Sequence, residues 1–174
     1  SSTGVSGLTA TLQAGTLASG NGSLTYTISG TPASAGTASF SLSFGVQSCS
    51  ISLTVNTLQP SITSLNCGTV SYNATATANT AYNGTATVSY NGGNGAVYSS
   101  GVSIASTGVS GLTATLQAGT LANGNGSLTY TISGTPASAG TASFALSFGG
   151  QSCSISLTVN VLQPSITSLN CGTV

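Results

Sequence analysis

The sequence predicts an all-β protein: immunoglobulin-like antiparallel β-sandwich repeats in tandem. Three observations carry this. Apolar residues alternate with Ser and Thr at a period of two. Turn clusters rich in Gly, Pro and Asn separate short runs, roughly every 8–12 residues. Finally, no window shows the i, i+3, i+4 spacing of an amphipathic helix.

The clearest stretch is SLTYTISGTPASAGTASFALSFGGQSCSISLTVN, Ser127 to Asn160. Leu128, Tyr130 and Ile132 alternate with Thr and Ser, as do Phe144, Leu146 and Phe148 with Ala and Ser. Cys153, Ile155, Leu157 and Val159 form a third alternating set. SGTPASAG and GGQ supply the intervening turns. Three strands with one buried face are predicted.

The same stretch occurs at Ser23–Asn56, inside a longer repeat. Ser2–Val70 aligns without gaps on Ser106–Val174 at an offset of 104. Four of the 69 positions differ: Ser19/Asn123, Ser41/Ala145, Val46/Gly150 and Thr57/Val161. Such near-identity points to recent duplication and to a window on a longer array. The repeat unit is read as 62–160. It opens with ITSLNCGTV, continues through TATVSYNGG, AVYSSGVSIAST and GLTATLQAG, and ends in the three strands above. Val102 and Ile104 are expected on one inward face. Residues 1–56 read as the C-terminal part of a preceding repeat, 57–61 as a joint, and 161–174 as a second joint with the next repeat's first strand. Pro60 and Pro164 break the strands at these joints. Short joints predict a semi-rigid rod.

Composition removes most chemistry. The 174 residues include no Lys, Arg, Asp, Glu or His. General acid–base catalysis and activation of a Ser or Thr nucleophile need such groups. A Cys thiolate needs a nearby cation or a helix N-terminus. No enzyme, catalytic residue or cofactor is therefore expected. Phosphate neutralisation is lost, which argues against nucleic acid. Carboxylate cages for hard cations and CxxC zinc spacing are both missing, so no metal is expected. No run reaches the ~18 apolar residues of a spanning helix, and no membrane span is predicted.

The cysteines are Cys49, Cys67, Cys153 and Cys171, two equivalent positions per repeat. One pairing joins Cys67 to Cys153 within the complete unit, leaving Cys49 and Cys171 to neighbouring repeats. The rival joins Cys49 to Cys67 and Cys153 to Cys171 across the joints. The first is expected, because first and last strands should run side by side and Cys153 lies on the apolar phase. Paired cysteines imply an oxidising, extracellular setting.

Other candidates are thinner. Asn21, Asn73, Asn83 and Asn125 begin Asn-X-Ser/Thr sequons, with Asn21 and Asn125 in equivalent GNGS turns and Asn83 in a YNGT turn. They are candidate glycosylation sites. Tyr72, Tyr82, Tyr90 and Tyr98 cluster ahead of the second copy. Tyr82 and Tyr98 are candidate sugar contacts, with NGGNG at 91–95 as a binding loop. The plainer reading makes these strand tyrosines and a turn.

The run ISGTPASAGTASFALSFGGQSCSISLTVN, with SLNCGTV, GGNGAVYSSGV and STGVSGLTATLQAG, resembles the tandem Ig-like repeat modules of large bacterial extracellular adhesin and fibre proteins. The resemblance covers residues 62–160 and the truncated neighbours. It implies a non-catalytic structural repeat of a cell-surface filament or adhesin stalk. The alternatives are a carbohydrate-binding adhesin module or a pilin assembled by donor-strand exchange. Expected partners are neighbouring copies of the repeat, other fibre strands and surface glycans. The lack of charge departs from the family's usual composition.

Overall fold

The computed structural model describes residues 1–166, Ser168 and Asn170. These residues form strands and no helix. They divide into two compact units, Ser1–Leu58 and the residues from Gln59 onward.

The first unit holds β1 (Thr3–Gly4), β2 (Leu8–Leu12), β3 (Tyr26–Gly30), β4 (Gly36–Phe44) and β5 (Gln47–Val55). β1, β4 and β5 make one sheet, in that order, while β2 and β3 make a separate ribbon. Its buried apolar core is small: Val5, Leu8, Ala38 and Phe40.

The second unit holds β6 (Ser64–Tyr72), β7 (Ala76–Thr77), β8 (Tyr82–Asn94), β9 (Val97–Tyr98), β10 (Ile104–Ala105) and β11 (Thr107–Gly108). It continues with β12 (Leu112–Leu116), β13 (Gly119–Thr120), β14 (Asn123–Gly134), β15 (Gly140–Phe148) and β16 (Gln151–Asn160). One sheet has the order β10-β12-β14-β8-β6 and the other β11-β15-β16-β7. β9 and β13 form a short ribbon. Every pairing is antiparallel except β7 with β16, which is parallel.

In a constant-type immunoglobulin sandwich the first, second, fifth and fourth strands share a sheet, facing the third, sixth and seventh. Taking β6, β8, β11, β12, β14, β15 and β16 as those seven strands reproduces that division. The alternating residues do the packing. Val88, Leu128, Tyr130 and Ile132 from one sheet meet Phe144, Leu146, Ile155 and Leu157 from the other in a single core. Each such side chain, fully buried, contributes about 1.5–3 kcal/mol.

The structure departs from the sequence expectations in three places. Val102 is exposed, and β10 contains only Ile104 and Ala105. The GNGS of the second unit is strand, not turn, because Asn123–Gly134 pairs along β8 from Asn94 to Tyr82. The YNGT around Asn83 likewise lies within β8. The strand expected at 165–174 falls largely outside the described residues, and so does Cys171.

Candidate functional site

Among the described residues no three His, Cys, Asp or Glu side chains gather as a metal site. What the chain does build is a set of ties holding its entry segment to the sandwich, and an apolar face left open.

The first tie is covalent. Cys67 of β6 is bridged to Cys153 of β16, with Cα atoms 6.0 Å apart and a sequence separation of 86. β6 belongs to the β8 sheet and β16 to the β15 sheet. The bridge therefore joins the two sheets, rather than two strands paired side by side. β16 lies against β7 in its own sheet, so β6 can reach it only across the sandwich. The Tyr72 hydroxyl spans the same gap, donating to the Ser156 carbonyl at 2.9 Å.

The second tie is built by the NGGN segment at 91–94. It is the end of β8, not a free loop. Asn94 Nδ2 donates to the Gln59 carbonyl at 2.7 Å, and Asn94 Oδ1 accepts from the Ser61 amide at 3.3 Å. The Asn91 carbonyl accepts from the Thr63 amide at 2.9 Å. Asn91 Nδ2 donates to Ser64 Oγ at 2.9 Å. Gly92 sits at φ +66, and a Cβ there would meet Thr63 Oγ1 at 2.4 Å. So the segment read as a sugar-binding loop is a clamp that seats residues 59–64. Sequence reasoning missed Asn91 and Asn94. Their signal was the pairing of Asn with Gly at the end of an alternating strand, a pattern that turns share.

The tyrosines are tied in as well. Tyr82 is buried, and its hydroxyl donates to the Ala74 carbonyl at 3.2 Å. Tyr98 packs edge-to-face on Phe148, with ring centroids 5.0 Å apart. The structure therefore separates Tyr82 and Tyr98 and gives Tyr82 no free ring face. A shallow groove of about 600 Å³ does exist, lined by Tyr72, Asn73, Thr75, Ser156, Thr158 and Asn160. Neither Tyr82 nor Tyr98 lines it. Burial pushes the phenol of Tyr130 up to about 12, with the neighbouring Tyr98 adding to the shift. Burial, then Tyr82, raises Tyr72 to about 12 too. Neither phenol can lose a proton near neutral pH.

All four sequon asparagines are exposed. Asn125 lies on β14 and Asn83 on β8, while Asn21 stands outside any strand. Asn73 is occupied: its Oδ1 accepts from the Thr85 amide at 2.7 Å.

The open face belongs to the first unit. A cleft of about 470 Å³ is lined there by Leu24, Tyr26, Leu42, Phe44, Cys49 and Ile51. Cys49 is unpaired and exposed. In the second unit the counterparts Leu128, Tyr130, Leu146, Phe148 and Ile155 belong to one core with Val88 and Tyr90 of β8 and Leu65 of β6.

Fold and ties together define a disulfide-bonded, all-β sandwich. No protein-family model matches the sequence, and no curated protein matches it either. Among solved structures, the chain is similar to domains 1–6 of surface layer protein SbsC: 18% identity, TM-score 0.36, over 80% of this chain and 18% of that one. It is also similar to domains 4 and 5 of the S-layer protein SbsC: 18% identity, TM-score 0.34, over 76% of this chain and 62% of that one. The chain thus spans less than two thirds of the length of either. Likeness at this level does not extend to function.

Proposed function

We propose that this chain is a non-catalytic structural repeat of an extracellular, cell-surface filament or adhesin stalk. The observation that carries the reading is the repeat itself. One near-identical stretch recurs at an offset of 104, in a chain without a single acidic, basic or imidazole side chain. Such a sequence can build strands and cores many times over, but it lacks the carboxylate, imidazole and amine side chains that most often serve as catalytic acids and bases. Its work is mechanical. The β8–β14 ladder, the Cys67–Cys153 bridge and the Asn94 clamp on Gln59 and Ser61 resist separation of the entry segment from the sandwich. A neutral surface lets neighbouring copies associate without charge repulsion.

Electron microscopy of the native material, with its chain length on a denaturing gel, tests the reading. The expected result is filaments made of chains many times longer than 174 residues. A short, globular native protein would overturn it.

The open face of the first unit favours a second reading, a pilin assembled by donor-strand exchange. Filaments that dissociate on denaturation into chains of this length would select it. Carbohydrate binding would fall to the groove beside Tyr72 and Asn73. A glycan array comparing the native protein with Tyr72→Ala reads that out.

A further inference from the structure

The two copies of the repeat form an internal control for the open face. Leu24 is 41% exposed where Leu128 is 0%, and Ile51 is 37% exposed where Ile155 is 1%. Leu17 is 63% exposed where Leu121 is 3%. Each pair has the same residue type and the same sequence neighbours. What differs is cover. In the second unit Leu128 pairs with Val88 of β8. The Leu121 amide donates to the Ala96 carbonyl, placing it under the turn that follows β8. Phe148, the counterpart of Phe44, carries the Tyr98 ring. Cys153, the counterpart of Cys49, is bridged to Cys67. Every one of these covering groups comes from one segment, Ile62–Tyr98.

We infer that the open face of the first unit is the seat for a further copy of that segment, supplied by an adjoining repeat. Cys49 is bridged there to the cysteine standing at the position of Cys67. This rests on reading the chain as a tandem repeat, and it names the partner of this open face. An unrelated partner would need to match a cleft of about 470 Å³ whose lining residues Leu24, Tyr26, Leu42 and Ile51 have counterparts that share a core with Val88 and Tyr90 in the second unit. A separate closed copy cannot lend its segment, because its own Cys67–Cys153 bridge and β8–β14 ladder hold it. The incoming segment must therefore be one without a sandwich of its own to fill. The alignment fixes the junction: Ser2 corresponds to Ser106, so the segment enters through β1 as Ile62–Tyr98 enters through β11.

The covalent step is ordinary thiol oxidation. Two thiols lose two protons and two electrons, and one S–S bond forms. An oxidised disulfide such as oxidised glutathione accepts the electrons and leaves as two thiols.

The test extends the full chain by placing a second copy of residues 58–104 directly ahead of Ser1. Both proteins are refolded in a glutathione buffer and labelled with a maleimide, and their disulfides are mapped. Cys49 of the unextended chain should label fully. In the extended chain its labelling should be lost and a bridge from Cys49 to the added cysteine should appear, beside an intact Cys67–Cys153. A further variant replaces the added cysteine with serine. Docking without the bridge should still slow amide exchange at Leu24–Tyr26 by at least about tenfold, about 1.4 kcal/mol. Cys49 that stays reactive with Cys67–Cys153 intact overturns the inference. So does recovery of Cys49 in Cys49–Cys49 dimers, or unchanged exchange in the serine variant. The outcome does not depend on native chain length, so it can fail while the filament reading stands, and the reverse.

Discussion

Gln13–Asn56 and Gln117–Asn160 differ at only three positions, Ser19/Asn123, Ser41/Ala145 and Val46/Gly150, yet they are not the same structure. In the second unit β14 runs the full length of Asn123–Gly134. In the first, the matching β3 covers only Tyr26–Gly30, and 19–25 are outside any strand. The hairpin β4–β5, by contrast, keeps the register of β15–β16 residue for residue, from Phe44↔Gln47 to Gly36↔Val55. The difference lies in where each strand finds its partner. β4 and β5 pair with each other across a tight turn. β14 needs β8, which begins 41 residues upstream of it, and the first unit has no strand in that place. Backbone groups without a partner bond to water instead of forming a ladder.

Five experiments can break or sharpen this contrast. The largest effect is expected from Cys67→Ser. Loss of a bridge closing so long a loop should lower the stability of the second unit by about 4 kcal/mol. Amide exchange, read separately in each unit across a urea series, should leave the first unit unchanged. Equal losses in both would mean that the units unfold as one.

Next comes a matched pair, Leu128→Ala and Leu24→Ala. The buried member should cost about 2–5 kcal/mol. The exposed one should cost under about 0.5 kcal/mol. Similar costs would show that the first unit is already covered in solution. A second pair should give the opposite pattern. Gly111 and Gly7 both sit at φ +93, and a Cβ on either would meet the carbonyl oxygen of Thr135 or Thr31 at 2.1 Å. Gly111→Ala and Gly7→Ala should each cost about 1–3 kcal/mol, because this turn is complete in both units.

A smaller effect is expected from Asn94→Ala. Losing its hydrogen bonds to residues 59 and 61 should cost about 1 kcal/mol. Faster amide exchange at Ser61, with Leu128 unaffected, would locate the loss in the clamp. The last effect appears only in alkali. Tyr72 and Tyr130 are raised to about 12 in the folded chain. An unfolded tyrosine titrates near 10. The unfolded chain therefore releases these protons first, and stability present below about pH 10 should fall as pH rises towards about 12. With no carboxylate or imidazole side chain to titrate, the melting temperature of the second unit should be flat from about pH 5 to 9. A transition near pH 6 would contradict this.

Much of the fold was legible from residue spacing. The alternation of Leu128, Tyr130 and Ile132 marks an inward face, and so does that of Ile155, Leu157 and Val159; the closed unit buries all six. Other features were not legible, for a common physical reason. Asn83 and Asn125 sit in Asn-Gly pairs that read as turns, yet long pairing between β8 and β14 makes them strand. Asn91 and Asn94 looked like loop residues, and only the approach of residues 59–64 makes them a clamp. Tyr82 could be placed in a strand but not on the core side, where its hydroxyl reaches the Ala74 carbonyl. The placement of β6 and β16 in opposite sheets likewise follows from the parallel pairing of β7 with β16.

Contacts shared by both units mark what the residues determine by themselves. The Ser2 amide donates to the Leu8 carbonyl as Ser106 does to Leu112, at 2.9 Å in each. Ala33 donates to Ser6 as Ala137 does to Ser110, at 3.0 Å in each. Gln13 Nε2 reaches Thr27 Oγ1 as Gln117 Nε2 reaches Thr131 Oγ1. The turns, the hairpin and the facing of each side chain belong to this group, since their partners lie within the repeated stretch. Tertiary structure alone decides whether that apolar face is covered, whether Ser23–Thr25 or Ser127–Thr129 is strand, and whether Cys49 or Cys153 has a partner. A strand's inward face is written in its own residues, but burial requires another surface, and here that surface is the segment Ile62–Tyr98.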